Sequence, residues 1–203
     1  MEASTKKRVA VFVSGGGTNL QKLLDAQQSG ALHSGEIVLV IASRAGVFAL
    51  ERARAAGVPA IALPRKELSL ECFEARALAL LEEYRVDFIV LAGFLTILSE
   101  DFIRRYPRRI LNTHPALIPS FCGKGFYGLH VHRAALDCGV KVTGATVHFV
   151  NEICDGGEIL LQKAVEILPG DTPESLQQRV MEQAEWILLP QALEMVCAGA
   201  NDR

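Results

Sequence analysis

The chain has little that would tie it to nucleic acid or to a membrane. Its 203 residues include 21 Lys and Arg against 23 Asp and Glu, a formal net charge of −2, so it offers no broad basic surface to a polyanion. The longest nearly apolar run, residues 88–98, is broken by Gly93 and Thr96 and is about half as long as a bilayer span. The composition therefore favours chemistry on small molecules, with no nucleic-acid partner and no membrane partner.

The sequence predicts neither a secretion leader nor a disulfide framework. Only residues 9–13 separate the basic residues 6–8 from a glycine cluster, and this run is too short for the apolar region of a signal peptide. No Cys-x-x-Cys pair occurs among the five cysteines, which stand at positions 72, 122, 138, 154 and 197. We therefore expect a cytoplasmic protein with reduced thiols and no metal.

Short β-branched runs alternate with helical patterns through the first half of the chain. With half of its residues hydrophobic, the chain is long enough to bury a sizeable core. Strands and helices are predicted in turn at 9–14, 19–28, 36–43, 47–56, 60–63, 70–84 and 87–92. This order predicts an open, mostly parallel twisted sheet with helices on both faces, an α/β fold that is Rossmann-like in its N-terminal half.

The second half of the chain changes character. A predicted strand at 109–112 is followed by a Pro- and Gly-rich stretch at 115–128, which is too long for an ordinary connection. Residues 142–150 and 158–165 alternate and lie close together along the chain. They predict an antiparallel pair that extends the sheet.

The last predicted helix has an apolar stripe and a candidate acidic residue beside it. Asp171 or Thr172 can cap this helix. Glu185 falls outside its apolar stripe, where a solvated carboxylate is the usual explanation. The stripe is expected to consist of Leu176, Val180, Ala184, Ile187 and Leu188.

A glycine loop, residues 14–19 (Ser-Gly-Gly-Gly-Thr-Asn), stands where the first strand hands over to the first helix. Backbone N–H groups and a helix dipole at such a place can hold a phosphate. The position three after Gly17 is Leu20, and no Gly-Lys-Ser/Thr ending follows, so neither NAD nor ATP is favoured. From spacing alone, a plain glycine turn is an equal alternative.

Asn112 and His114 lie two residues apart at a strand end, which directs both side chains to one face. Both groups can donate to a carbonyl oxygen that becomes an oxyanion, and the histidine can also move a proton. For an isolated triplet, the more frequent alternative is a polar strand end whose side chains are satisfied by loop carbonyls.

Asp155, in the sequence Cys-Asp-Gly-Gly at 154–157, could return a carboxylate to these strand ends and favour the protonated form of His114. The alternative is an ordinary Asp-Gly turn residue. The remaining histidines are weaker candidates, since they lack the spacing of a metal site: one lies in mid-strand and three fall in loops or flanks, at positions 148, 33, 130 and 132.

Five sequence blocks together resemble the folate-dependent phosphoribosylglycinamide formyltransferases. These are SGGGTNL, LAGFLTIL, NTHPALIP, GATVHFV and DGG, at 14–20, 91–98, 112–119, 144–150 and 155–157. They occur in the family's order, and the resemblance extends from residue 9 to about 196. Five blocks in order are far more specific than any one of them.

The resemblance implies roles for individual residues. The catalytic residues would be Asn112, His114 and Asp155. The ribonucleotide substrate would be contacted at its phosphate by Gly17, Thr18 and Asn19, and near its glycinamide by Glu185. The folate would be bordered by Leu95, Thr96, Ile97 and Leu98, together with Asn112. Many relatives have Met-Arg where this chain has Leu95-Thr96, and Arg65 is a candidate contact for the folate glutamate tail.

The implied reaction is transfer of the formyl group of 10-formyltetrahydrofolate to the amine of glycinamide ribonucleotide, in purine biosynthesis. The amine would attack directly, Asn112 and His114 would stabilise the oxyanion, and Asp155 would assist. The folate would be a co-substrate, and no metal is implied. We expect a monomer or homodimer with small-molecule substrates, built as one domain over 1–203 with a mononucleotide-binding half at 8–110 and a folate and catalytic half at 111–200.

Three alternatives have distinguishable requirements. A formyltetrahydrofolate deformylase would use water as the acceptor and carry an N-terminal regulatory domain. A methionyl-tRNA formyltransferase would add a C-terminal domain for tRNA. A non-catalytic nucleotide-binding module built on the glycine loop would bind ligand without transferring formyl. The first strand is predicted to begin at residue 9, which disfavours the deformylase, and the acidic balance of the chain disfavours the tRNA-dependent enzyme.

Overall fold

The computed structural model describes residues 6–200, so the outer ends of the predicted domain, 1–5 and 201–203, lie outside the described residues. The seven strands are β1 (Lys7–Val13), β2 (Gly35–Ala42), β3 (Ala60–Ala62), β4 (Phe88–Leu91), β5 (Ile110–His114), β6 (Val142–Phe149) and β7 (Ile159–Glu166). The helices are α1 (Thr18–Ser29), α2 (Phe48–Ala55), α3 (Leu70–Glu83), α4 (Glu100–Arg105), α5 (Leu129–Cys138), α6 (Pro173–Val180) and α7 (Trp186–Cys197), with a π-helical turn (Met181–Glu185) between the last two.

The strands form one sheet in the order β3-β2-β1-β4-β5-β6-β7. The first five are parallel to one another, and β6 and β7 continue the sheet antiparallel. The predicted fold class is therefore confirmed. No helix between residues 6 and 200 is long and apolar enough to cross a bilayer.

The alternation of side chains along β1 explains why helices cover both faces of the sheet. Val9, Val11 and Val13 point into a core formed with α1, α2 and α7, whereas Ala10 and Phe12 point into a second core with α3 and α4. All five residues are fully buried. A strand that is apolar at every position needs cover on both sides, which is typical of parallel sheets.

Two short helices escaped prediction. α4 is capped by Ser99, whose hydroxyl accepts the backbone N–H of Phe102, and α5 begins directly after Gly128. α4 has only six residues, too few for a clear apolar period. The glycines before α5 masked the end of the Pro- and Gly-rich stretch.

The last predicted helix is interrupted by the π-helical turn, and this corrects two predictions. Thr172 caps α6 as expected, within a capping box that includes Ser175. The wide turn shifts the helical phase, however, so Glu185 is buried instead of solvated, and Ile187 is 38% exposed instead of belonging to the apolar stripe. The other four residues of the stripe are buried as predicted.

Asp171 and Arg179 form an ion pair whose contribution to stability can be measured. Two hydrogen bonds of 2.5 Å from Arg179, together with the N–H of Leu168, hold the pKa of Asp171 well below its ordinary value. A lowered carboxyl pKa adds stability above the pKa of the unfolded chain, about 3.9, and this stability is lost as the pH falls further.

We expect Asp171→Asn to lower the free energy of unfolding by roughly 1.5–3 kcal/mol at pH 7. Urea unfolding of wild type and variant at pH 7, 5 and 3 measures the difference. The difference in the free energy of unfolding between wild type and variant should be the same at pH 7 and pH 5 and should shrink below about pH 4. A difference that stays constant down to pH 2 would contradict the electrostatic explanation.

Candidate active site

The candidate active site lies where the parallel strands end. In an open α/β sheet, the loops at the carboxyl ends of the strands are the ones that bind ligands. The glycine loop follows β1, the segment 92–98 follows β4, and Asn112 and His114 form the end of β5. The order of the strands thus brings three of the sequence blocks to one edge.

β6 and the turn after it add two further groups. The antiparallel register of β5 and β6 sets His148 directly opposite Asn112. The turn at 150–158 folds back so that Asp155 reaches both strands. Asp155 has a φ of 55°, and a Cβ on Gly157 would lie 1.7 Å from a backbone oxygen, so only glycine fits there. Asp155 is therefore a turn residue whose side chain also faces the site.

One buried carboxylate lies among three polar side chains. Oδ2 of Asp155 is 3.5 Å from Nδ1 of His114. Oδ1 is 3.5 Å from Nδ2 of Asn112 and 3.6 Å from Nε2 of His148. The backbone N–H of Gly123 donates to Oδ2 at 2.8 Å. The structure thus brings the three predicted catalytic residues together.

Asp155 stays ionised in this setting. Burial raises its pKa, but hydrogen bonding with His148 and the N–H of Gly123, together with the electrostatic interaction with the His114 imidazole, outweigh burial, and the net pKa lies below the ordinary value. A carboxylate held in this way keeps its negative charge close to both imidazole rings.

His114 differs from the expectation that Asp155 keeps it protonated. Burial lowers its pKa below the ordinary value, and Asp155 and the carbonyl of Phe121, which act in the opposite direction, do not outweigh burial. Nε2 of His114 lies 2.9 Å from that carbonyl oxygen. Nε2 therefore carries the proton of the neutral ring, and Nδ1 faces the carboxylate.

His148 belongs to this cluster, although the sequence indicated it only as a weaker candidate in mid-strand. It is 1% exposed, and its Nδ1 lies 2.8 Å from the backbone oxygen of Phe149, so Nδ1 is the donor. Its Nε2 lies 3.2 Å from Nδ2 of Asn112 and 3.6 Å from Oδ1 of Asp155, so His148 contacts two of the predicted catalytic residues. His148 could have been found from the pairing of strands, because the antiparallel neighbour of β5 places one of its residues directly opposite Asn112.

The other histidines do not form a metal site. His130 and His132 lie on α5, not in loops or flanks as expected. His132 is fully buried, its ring nitrogens have no partner within the described part of the chain, and burial followed by the charge of His114 lowers its pKa to about 4. Residues 6–200 contain no group of three His, Cys, Asp or Glu that could hold a metal ion.

The glycine loop is tied to the segment after β4. The hydroxyl of Ser14 accepts the backbone N–H of Leu95 at 3.0 Å and lies 2.7 Å from the hydroxyl of Ser43. Gly17 begins α1 with a φ of 73°, and Thr18 is exposed in the first turn. α1 has no acidic residue in its first turn, so its positive end is open to an anion.

Asn19 and Glu185 form a buried pair beside this loop. Nδ2 of Asn19 donates to Oε2 of Glu185 at 2.9 Å. Burial raises the pKa of Glu185, and the hydrogen bond from Asn19 opposes this only in part. Oδ1 of Asn19 is buried without a partner among residues 6–200, so it can accept a hydrogen bond from a ligand.

The segment predicted to border a folate divides into exposed and buried residues. Leu95 is 52% and Ile97 64% exposed, and Thr96 is half-buried. Leu98 is buried and packs in the core with α3 and α4, so only its backbone can border a ligand. Arg65 donates to a backbone carbonyl three residues further on, which occupies its side chain.

Comparison with known proteins places these features in a family. The formyl transferase family model matches residues 7–193. The trifunctional purine biosynthetic protein adenosine-3 of Drosophila pseudoobscura pseudoobscura is 45% identical over all of this chain, which spans 15% of that protein. The chloroplastic phosphoribosylglycinamide formyltransferase of Arabidopsis thaliana is 41% identical over 88% of this chain, which spans 61% of its length.

Solved structures of related proteins have the same fold as this chain. The crystal structure of phosphoribosylglycinamide formyltransferase from Brucella melitensis superposes with a TM-score of 0.86 at 43% identity, covering 96% of this chain and 97% of its own. The chain therefore belongs to the formyl transferase family. Two of these three proteins are named phosphoribosylglycinamide formyltransferases, which confirms the resemblance found in the five sequence blocks.

Gly17 should be the least replaceable glycine of the loop. A Cβ there would lie 2.7 Å from Cβ of Ala49, in a backbone conformation that disfavours side chains, whereas a Cβ on Gly16 meets no atom within 4 Å. Gly17→Ala should lower the free energy of unfolding by about 1–3 kcal/mol, and Gly16→Ala, the matched control, by less than about 1 kcal/mol. Urea unfolding compares them, and equal losses would contradict this structure of the loop.

The protonation of His114 can be measured directly. In ¹³C-histidine NMR titrations, with the resonance assigned by its absence in His114→Asn, His114 should titrate below its ordinary pKa of about 6.5. Asp155→Asn should lower the pKa further, because the carboxylate favours the charged ring. A His114 that is still mainly protonated at pH 7.5 would show that burial does not dominate.

Proposed function

We propose that the protein transfers the formyl group of 10-formyltetrahydrofolate to the amine of glycinamide ribonucleotide, a step of purine biosynthesis. The observation that carries this proposal is the cluster of Asn112, His114 and the ionised Asp155 at the sheet edge that also holds the glycine loop. The names of the relatives support the same reaction.

The glycine loop and the Asn19–Glu185 pair bind the ribonucleotide. Backbone N–H groups at Gly16, Gly17 and Thr18 and the positive end of α1 hold the phosphate. Glu185 and the free oxygen of Asn19 receive hydrogen-bond donors of the sugar or glycinamide. The exposed side chains of Leu95 and Ile97 border the folate ring system, so the two substrates meet in front of Asn112 and His114.

The reaction needs no covalent enzyme intermediate. The substrate amine attacks the formyl carbon, and the carbonyl electron pair moves onto oxygen. This oxygen replaces the Phe121 carbonyl at Nε2 of His114 and accepts from the amide of Asn112. A proton then leaves the attacking nitrogen and is relayed by water to N10 of the folate, with Nδ1 of His114 as the site that can hold it in between, as the carbon–N10 bond breaks.

Asp155 makes this proton transfer easier at the imidazole. The neutral ring of the free protein already carries its proton on Nε2, so a proton relayed by water is taken up at Nδ1, where the adjacent carboxylate stabilises the imidazolium that forms. The charge of Asp155 is therefore used when the ring becomes cationic during the reaction, and less before it.

The remaining expectations belong to the same proposal. The folate is a co-substrate, and no metal takes part. The protein acts in the cytoplasm on small molecules, as a monomer or homodimer. The described residues belong to one domain, in which 8–110 bind the nucleotide and 111–200 contribute the catalytic and folate-binding groups.

The function is tested by a formyl-transfer assay with both substrates, repeated with water as the only acceptor. Asn112→Ala and His114→Ala should each lower kcat by about 10²- to 10³-fold. His33→Ala, which replaces an exposed histidine paired with Glu194, should retain wild-type kcat.

Two results would sink the proposal. Formyl release with water that is as fast as transfer to the ribonucleotide would make the protein a hydrolase. Near-normal kcat in both site variants, with the fold intact by circular dichroism, would remove the chemistry from this cluster.

A further inference from the structure

Helix α2 holds the glycine loop by its carbonyl groups. The carbonyl oxygen of Gly15 accepts the backbone N–H of Ala49 at 3.3 Å. The carbonyl oxygen of Gly16 accepts Nε of Arg52 at 2.9 Å. Gly17 packs against Ala49 so closely that a Cβ would not fit. Two successive peptide groups of the loop are thus oriented by α2.

The orientation of the carbonyls fixes the direction of the N–H groups. In a trans peptide the C=O of one residue and the N–H of the next point in opposite directions. With their carbonyls directed at α2, the peptides direct the N–H groups of Gly16 and Gly17 away from it. Neither N–H donates to another group of residues 6–200, and the space beside Gly16 is open. These are the donors that an anion would meet.

Arg52 also brings an uncompensated charge to the loop. Its Nη1 donates to Oε1 of Gln21 on α1 at 2.9 Å, and its guanidinium lies 4.8 Å from the ring centroid of Phe48. Within the described ranges it forms no ion pair with a carboxylate. The guanidinium is therefore held in place by neutral partners, and its positive charge adds to that of the α1 terminus.

We propose that Arg52 is a positioning residue for substrate phosphate: it holds the Gly16–Gly17 peptide with its N–H toward the phosphate and supplies a fixed positive charge behind the loop. The inference rests on the proposed function for the identity of the substrate. It does not rest on formyl transfer itself, since any phosphate monoester in the glycine loop meets the same groups.

The test separates binding from chemistry. Arg52→Ala should raise KM for glycinamide ribonucleotide by about 3- to 30-fold, because the loop loses a positive charge close to the phosphate and the contact that orients the Gly16–Gly17 peptide. It should leave kcat and KM for the folate within about threefold, because the catalytic cluster is untouched. Arg54→Ala removes the same charge from an exposed position on α2 and should match wild type.

Two further variants address the peptide orientation. Arg52→Lys keeps the charge but loses the contact with either the Gly16 carbonyl or Gln21, so its KM should lie between those of wild type and Arg52→Ala. Gln21→Ala removes one anchor of the guanidinium and should raise KM for the ribonucleotide less than Arg52→Ala does. If Arg52→Ala does not fold, these two variants carry the test, and wild-type KM in both would overturn the inference.

Calorimetric titration with ribose 5-phosphate gives a readout that needs no reaction. Its affinity should fall by the same factor in Arg52→Ala as KM rises. One outcome would refute the proposed function and leave this inference standing: wild-type protein binds ribose 5-phosphate more tightly than Arg52→Ala does but transfers no formyl group. Wild-type transfer with an unchanged KM in Arg52→Ala, or equal losses in kcat and in both KM values, would overturn the inference alone.

Discussion

The site depends on one buried carboxylate that must keep its charge. Asp155 is 9% exposed at its side chain, and its oxygens lie within reach of two imidazole rings, an amide and a backbone N–H. A carboxylate that left water without these partners would take up a proton. Because the partners come from β5, β6 and the loop near residue 123, the charge of Asp155 holds together segments that are distant in the sequence. The geometry of the oxyanion donors follows from the same set of contacts.

The parallel part of the sheet could be predicted because β1, β2 and β4 are marked by runs of apolar residues. β1, with both of its faces buried, and the glycine loop that follows leave few other interpretations, and the alternation with helices sets the parallel order. Asn112 and His114 were recognisable because a period of two places both on one face of β5. Asp155 was predicted mainly through the resemblance, since an Asp-Gly pair in a turn has a common structural explanation.

What escaped prediction depends on packing between distant segments. The burial of Glu185 follows from a π-helical turn, and no local pattern announces such a turn when the residues on both sides favour an α-helix. His148 has no meaning until its strand is paired in register with β5. The pKa of His114 is set by the competition between burial and a carboxylate, two opposing effects whose balance only coordinates reveal.

The π-helical turn limits the insertions and deletions that this part of the chain can accept. One residue corresponds to about 100° of rotation around a helix axis. Deleting one residue ahead of Glu185 within this turn would restore regular α-helical geometry, yet it would swing the carboxylate away from Asn19 or displace all of α7. Substitutions at the exposed positions Glu182 and Gln183 leave this phase intact. Insertions and deletions here are therefore far more damaging than point substitutions, and an irregular helix is a fixed requirement of the pocket.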